Sequence, residues 1–310
     1  MVITVIDKRN PSGINYIVGY VWTRENPIVL GRFDKIEKMG GTTTELLRFS
    51  TTGARVATAG IPWSATRIAA LDEKQLFITG PAGLVGIKDS PGPVSKREEI
   101  CSGKLGPEGI GEIRDMRNIG GNLFVAGMGR QVYRRVAPGR WSRSDEGILS
   151  QPTVNAAVGF NSIDGSSLHD IYACGFGGEI GWFNGEKWII FRDLTNMILN
   201  RVRVIAPGNV VMCGKKGIVI RGGRNTWNVI QSDVISEFWD VEEFGGHIYL
   251  ATNDALYMMD SSDRISKVPI PSSVANTFGS LHANHGVLLS VGKNDVIWTT
   301  DGTSWQNISS

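Results

Sequence analysis

The side chains of this 310-residue sequence that could do chemistry are few and widely spaced. Its four histidines, His169, His247, His282 and His285, are too scattered for a tidy metal set. His282 and His285 flank Asn284 and read as turn or core residues, a ligand or base role being the alternative. Cys174 and Cys213 each precede a glycine at the end of an apolar run and read as small buried fillers, against a disulfide or metal pair. No nucleophile elbow, Walker loop or CxxC occurs. Gly175-Phe176-Gly177-Gly178 is glycine-rich, but no helix follows to make it a phosphate cradle.

Arginine and tryptophan are better placed. Arg67, Arg114, Arg201 and Trp239 each stand thirteen residues before the glycine or threonine that ends an apolar run. Phe238 precedes Trp239, Trp63 lies just before Arg67, and Arg130 belongs to the same basic stretch as Arg114. Arg and Trp are the residue types that anchor protein interfaces. The expected partner-binding residues are therefore Trp63, Arg67, Arg114, Arg130, Arg201, Phe238 and Trp239. The alternative is that they stack between elements and fix an inner wall.

What positions them is a repeat. Asp170-Ile171-Tyr172-Ala173-Cys174-Gly175 recurs as apolar runs ending at Gly80, Gly127, Gly214, Thr252 and Gly292, with an earlier copy at Gly19. The anchor spacings are 61, 47, 48, 39, 38 and 40 residues. A period near 40 with several short strands per period predicts a β-propeller. In the fifth unit the strands are expected at Arg203 to Ile205, Asn209 to Cys213, Gly217 to Arg221 and Trp227 to Ile230, with glycine-rich hairpin joints between them. The second strand, apolar on both sides, belongs inside a stack of sheets.

The first unit is expected to use Val2 to Ile6, Tyr16 to Val21, Ile28 to Phe33 and Leu46 to Phe49, with residues 53–65 bridging to the second. Asp193 to Asn200 is the only expected helical turn. The fold class predicted is all-β, a seven-bladed propeller of four-stranded antiparallel blades forming a single domain over residues 1–310. Six blades with an extra strand pair is the alternative. No strand is shared across the closure, so blades one and seven pack face to face.

Asn184-Gly185-Glu186-Lys187-Trp188, Asp301-Gly302-Thr303-Ser304-Trp305 and the variant Pro138-Gly139-Arg140-Trp141 resemble the degenerate Asp-box-like repeats of bacterial propellers. The resemblance covers about three quarters of the chain and implies a fold rather than an activity. A propeller sialidase would need several arginines, a Tyr–Glu pair and an Arg-Ile-Pro start; here Gly60-Ile61-Pro62 lacks the arginine.

A net charge of +2 does not suggest a nucleic-acid binder. Residues 112–143 hold seven arginines, and residues 237–263 hold seven acids without Lys or Arg. In a ring this gives either a transverse dipole able to steer a partner or charge spread over solvated edges. No long apolar run and no leader-like N-terminus occurs, so a cytoplasmic, membrane-free bacterial protein is expected, monomeric, with no cofactor and no metal. The expected function is non-enzymatic protein binding, as an immunity or antitoxin-type inhibitor that occludes a toxin. A glycan-acting hydrolase or lyase, or an assembly scaffold, is the alternative.

Overall fold

Alternating apolar strands and tight turns leave each repeat with two greasy faces, which only neighbouring repeats can cover. In the computed structural model, which describes residues 13–33, 43–50, 53, 55–90, 92–150 and 158–309, the described strands form seven four-stranded antiparallel sheets. Each is built from four consecutive strands. The first strands of the blades are Ile14–Thr23, Arg67–Ala70, Ile113–Ile119, Phe160–Ser167, Leu199–Ala206, Asp240–Phe244 and Gly279–Asn284. Each touches the first strand of the next blade, and the seventh touches the first, so these strands line the centre of a closed ring. The protein is a seven-bladed β-propeller.

The second strands are the most buried: Asp170–Gly175 and Val287–Gly292 have no exposed residue. The fourth strands face solvent, as Thr226–Ile230 does. Among the described residues seven apolar clusters form, one at each blade–blade interface. Each fully buried Val, Leu, Ile or Phe in them contributes about 1.5–3 kcal/mol.

The anchor glycines mark a close approach. A Cβ on Gly80, Gly127, Gly175, Gly214 or Gly292 would fall 1.7–2.2 Å from a carbonyl oxygen at the start of the same blade's first strand, those of Ser64, Glu112, Gly159, Ile198 and Thr277. No side chain fits there.

Blade one corrects the expected strand phase. Its sheet comprises Ile14–Thr23, Asn26–Phe33, Thr44–Phe49 and Arg55–Ile61. Tyr16 to Val21 is thus innermost, and the presumed bridge supplies the fourth strand; the expected strand Val2 to Ile6 lies outside the described residues. The true second strand ends its apolar run at Gly31, 49 residues before Gly80, and the anomalous spacing disappears. The segment Asp193 to Asn200 is bent but not helical, and the short α-helix Pro107–Ile110 sits in the connection into blade three.

Among the described residues no strand crosses the closure. Blades seven and one pack Leu289, Val291 and Val296 against Val21, Val29 and Leu47. Tyr16 N donates to Lys293 O at 2.9 Å, Val21 N to His282 Nδ1 at 3.1 Å, and Asn284 Nδ2 to Val21 O at 3.2 Å.

Candidate functional site

A first strand has one edge with no neighbour in its own sheet, so its polar groups there need other partners. Side chains of the preceding blade supply several of them. Asp115 Oδ2 accepts from Ile163 N at 3.1 Å, Asp164 Oδ2 from Val204 N at 2.9 Å, and Asp240 Oδ2 from Leu281 N at 3.0 Å. Tyr20 Oη accepts from Ala70 N at 3.2 Å, and Asn200 Nδ2 donates to Phe238 O at 2.9 Å.

These groups form tiers two residues apart. The residues directly opposite the one before each anchor are Val18, Arg67, Asp115, Ser162, Arg201, Asp240 and Ser280. Two residues on stand Tyr20, Ala69, Arg117, Asp164, Arg203, Glu242 and His282. In the first tier the Arg201 side chain, 8% exposed, reaches Asp115 and Asp240, both at 2.9 Å. In the second, Arg203 pairs with Glu242 at 2.6 Å and Asp164 at 3.5 Å. Burial alone would push the Asp115 carboxyl up, but Arg201 and Arg67 hold it below the usual carboxylate range. Burial would likewise weaken Arg201 as a cation, yet Asp240 and Asp115 keep it firmly protonated. The channel is filled by a plug in which Arg201 and Arg203 tie four carboxylates together.

At one end this plug opens into a hollow of about 340 Å³ lined by Arg67, Arg114, Phe176, Lys215, Glu237 and Trp239, with Asn161, Ile198 and Asn200. It lies where the chain enters the first strands and where the second-to-third-strand turns return: Phe176 N donates to Gly159 O, Lys215 N to Ile198 O and Phe238 N to Gly214 O. Beside it the connection from blade five to blade six presents Ile235, 86% exposed, and Trp239, 41% exposed, the two most solvent-accessible large apolar side chains but for Val136 among the described residues. An isolated exposed apolar residue is ordinary, whereas here two stand on one connection, whose Glu237 and Trp239 line the hollow with Phe176.

The residues singled out by spacing divide accordingly. Arg67, Arg114 and Trp239 line the hollow together. Arg114 pairs with Glu112 at 3.2 Å and lies 5.7 Å from the Phe176 ring centre. Arg201 is on the channel wall beneath, and Phe238 is fully buried, edge-on to Tyr257 at 5.6 Å. Arg130 is clamped by Glu179 through two hydrogen bonds of 2.7 Å. Trp63 packs between blades one and two, 6.0 Å from the Arg97 guanidinium.

The equal spacing conceals a register change. Arg67 and Arg201 face the residue before the anchor, whereas in blades three and six Asp115 and Asp240 take that place one position later. Arg114 and Trp239 are thereby left at the mouth. Spacing alone misses Asp115, Asp164, Arg203, Asp240, Glu242 and His282. Their signal is polar residues two apart in otherwise apolar first strands, as in Asp240-x-Glu242.

The basic and acidic stretches are largely consumed in pairs. Arg135 binds Glu98, Arg143 binds Asp145, Asp263 meets Arg221 and Asp260 meets Arg264, while Asp240 and Glu242 join the channel. Cys174 and Cys213 are free and buried in interblade clusters, where burial pushes both thiols up.

No protein-family model matches the sequence. It is 32% identical over 252 residues to the immune protein Tsi7 of Pseudomonas aeruginosa, covering 80% of this chain and 81% of that protein. Among solved structures, the WD40 β-propeller domain of Doa1 superposes with a TM-score of 0.67 at 11% identity, covering 92% of each chain. YCF48 bound to D1 peptide gives 0.67 at 12% identity, over 93% of this chain and 92% of that one. Streptogramin B lyase gives 0.63 at 11% identity, over 78% and 82%. At such identities these three speak for the fold alone.

Proposed function

This chain belongs to the family of the immune protein Tsi7, and on that premise we propose that it is an immunity protein that binds a bacterial toxin and blocks it by occlusion. The observation carrying this reading is the 32% identity sustained over four fifths of both chains. The mouth face supports it with the attributes of a protein-docking surface: exposed Trp239 and the Phe176 ring on a charged, partly open hollow, with exposed Ile235 on the same connection as Trp239. Asp115, Asp164, Asp240 and Glu242 of the channel are held by Arg201 and Arg203, which favours binding without catalysis. We place its action in the cytoplasm, as a monomer meeting one toxin molecule. An Asp-box-like origin of the repeats fits the hairpins in which Asp301 Oδ1 accepts from Thr303 N and Ser304 N, and Asn184 Oδ1 from Glu186 N and Lys187 N.

Deleting the gene and competing the deletion strain against its parent in surface contact tests this function without any purified toxin. The deletion strain is expected to lose by about tenfold or more, and the wild-type gene to restore parity. The Ile235→Asp variant, which places a charge where an apolar contact forms, is expected to fold normally and give no protection. Equal fitness of deletion strain and parent would refute the immunity reading.

A further inference from the structure

Arg67 is a largely buried charged group of the mouth, and its partners within the fold are poorly aligned. It lines the 340 Å³ hollow, an adjoining one of about 260 Å³, and the channel below. Its Nη1 donates to the neighbouring Thr66 carbonyl at 2.8 Å. Its Nε lies 3.3 Å from Asp115 Oδ1 but off the line of a hydrogen bond. That oxygen already accepts from Arg201 at 2.9 Å. The other Asp115 oxygen accepts from Ser162 Oγ at 2.8 Å and Ile163 N at 3.1 Å. Two guanidiniums thus share one carboxylate, and Arg201 has Asp240 besides.

Burial and the repulsion of Arg201 bring the Arg67 pKa down to about 10, although Asp115 and Asp240 pull it back up, and its buried Nε has no hydrogen-bond acceptor. The hollow above offers no replacement. Its lining carries Arg67, Arg114 and Lys215 against one carboxylate, Glu237, which accepts from Asn200 Nδ2 at 2.9 Å.

We propose that Arg67 receives an aspartate or glutamate side chain of the toxin, which enters the cation-rich hollow beside Trp239 and gives the guanidinium the aligned acceptor that the ring does not provide. This rests on the immunity reading and names the chemistry of the toxin's contact. A carboxylate there would meet a guanidinium fork in a partly desolvated site, where charge-assisted bonds are strongest. Removing one member of such a pair weakens a complex far more than losing a rim charge.

Two measurements test it. In ¹⁵N-labelled protein, N-acetylglutamate amide is expected to shift the Arg67 Nε–Hε signal saturably, with N-acetylglutamine amide needing about tenfold more for the same shift. In the contact competition, Arg67→Gln is expected to cut protection sharply, and to bind the toxin at least about 30-fold more weakly once the toxin is in hand. An equal response to acid and amide would overturn the proposal, whatever the variants do. Full protection by Arg67→Gln beside none by Ile235→Asp would sink the carboxylate contact and leave the immunity reading standing. No defect in the deletion strain would remove that reading itself.

Discussion

Arg201 carries a heavy electrostatic load, since it bridges Asp115 in blade three and Asp240 in blade six. Breaking a buried pair costs more than the pair contributes, because the remaining charge stays desolvated. Arg201→Met is therefore expected to destabilise the protein by about 3–5 kcal/mol in urea unfolding, with two buried carboxylates left to share Arg67. A loss below about 1 kcal/mol would show that water reaches the channel wall and screens it. Arg201 is visible in the sequence as a regularly placed arginine, but its acidic partners are not. The partnership depends on Asp115 and Asp240 standing one residue later in their repeats than Arg67 and Arg201 do in theirs. Only pairing register reveals that. The same shift lifts Arg114 and Trp239 out of the wall and into the hollow at the mouth.

At the scale of strands, the seam between blades seven and one depends on histidine. His282 Nδ1 accepts from Val21 N, which requires an unprotonated nitrogen there, and the ring lies 4.0 Å from Tyr20. Burial pushes the His282 pKa well below its ordinary 6.5, with Arg117, Arg203 and the neighbouring His285 adding to the effect. Below pH 6.5 the unfolded chain takes up a proton that the folded ring refuses. Stability should accordingly be full above that pH and fall as pH drops toward the depressed value, by up to about 1.4 kcal/mol per pH unit for this one site. His282→Asn should flatten the slope by about one proton, as read from unfolding curves between pH 7 and pH 5. Identical slopes in the two proteins would contradict this account of the seam. The seam also explains why the first repeat is misread from sequence. Gly19 ends an apolar run as an anchor does, but its missing side chain makes room for Leu289 and Val291 of blade seven, whose atoms would lie 2.5–2.6 Å from a Cβ. Gly31 is the anchor equivalent, and nothing local distinguishes the two.

For the whole molecule, the architecture is legible because it needs only periodicity: apolar runs about 40 residues apart, glycine at the close approach, turns between. The mouth is legible in part. Equal spacing brings Arg67, Arg114 and Trp239 to one hollow, but it also gathers Arg201 and Phe238, which the fold buries. Ile235 has no repeat position to announce it, and its exposure arises from the path of one connection. Family membership adds what periodicity could not, a reason for a propeller to present such a face. The most direct test of the account is amide hydrogen exchange of the protein with and without its toxin. Slowed exchange is expected at residues 231–239, 176–178 and 215–217, the connection and turns around the mouth. Protection confined to the turns at the other end of the ring, at 168–169, 207–208, 245–246 and 285–286, would contradict it.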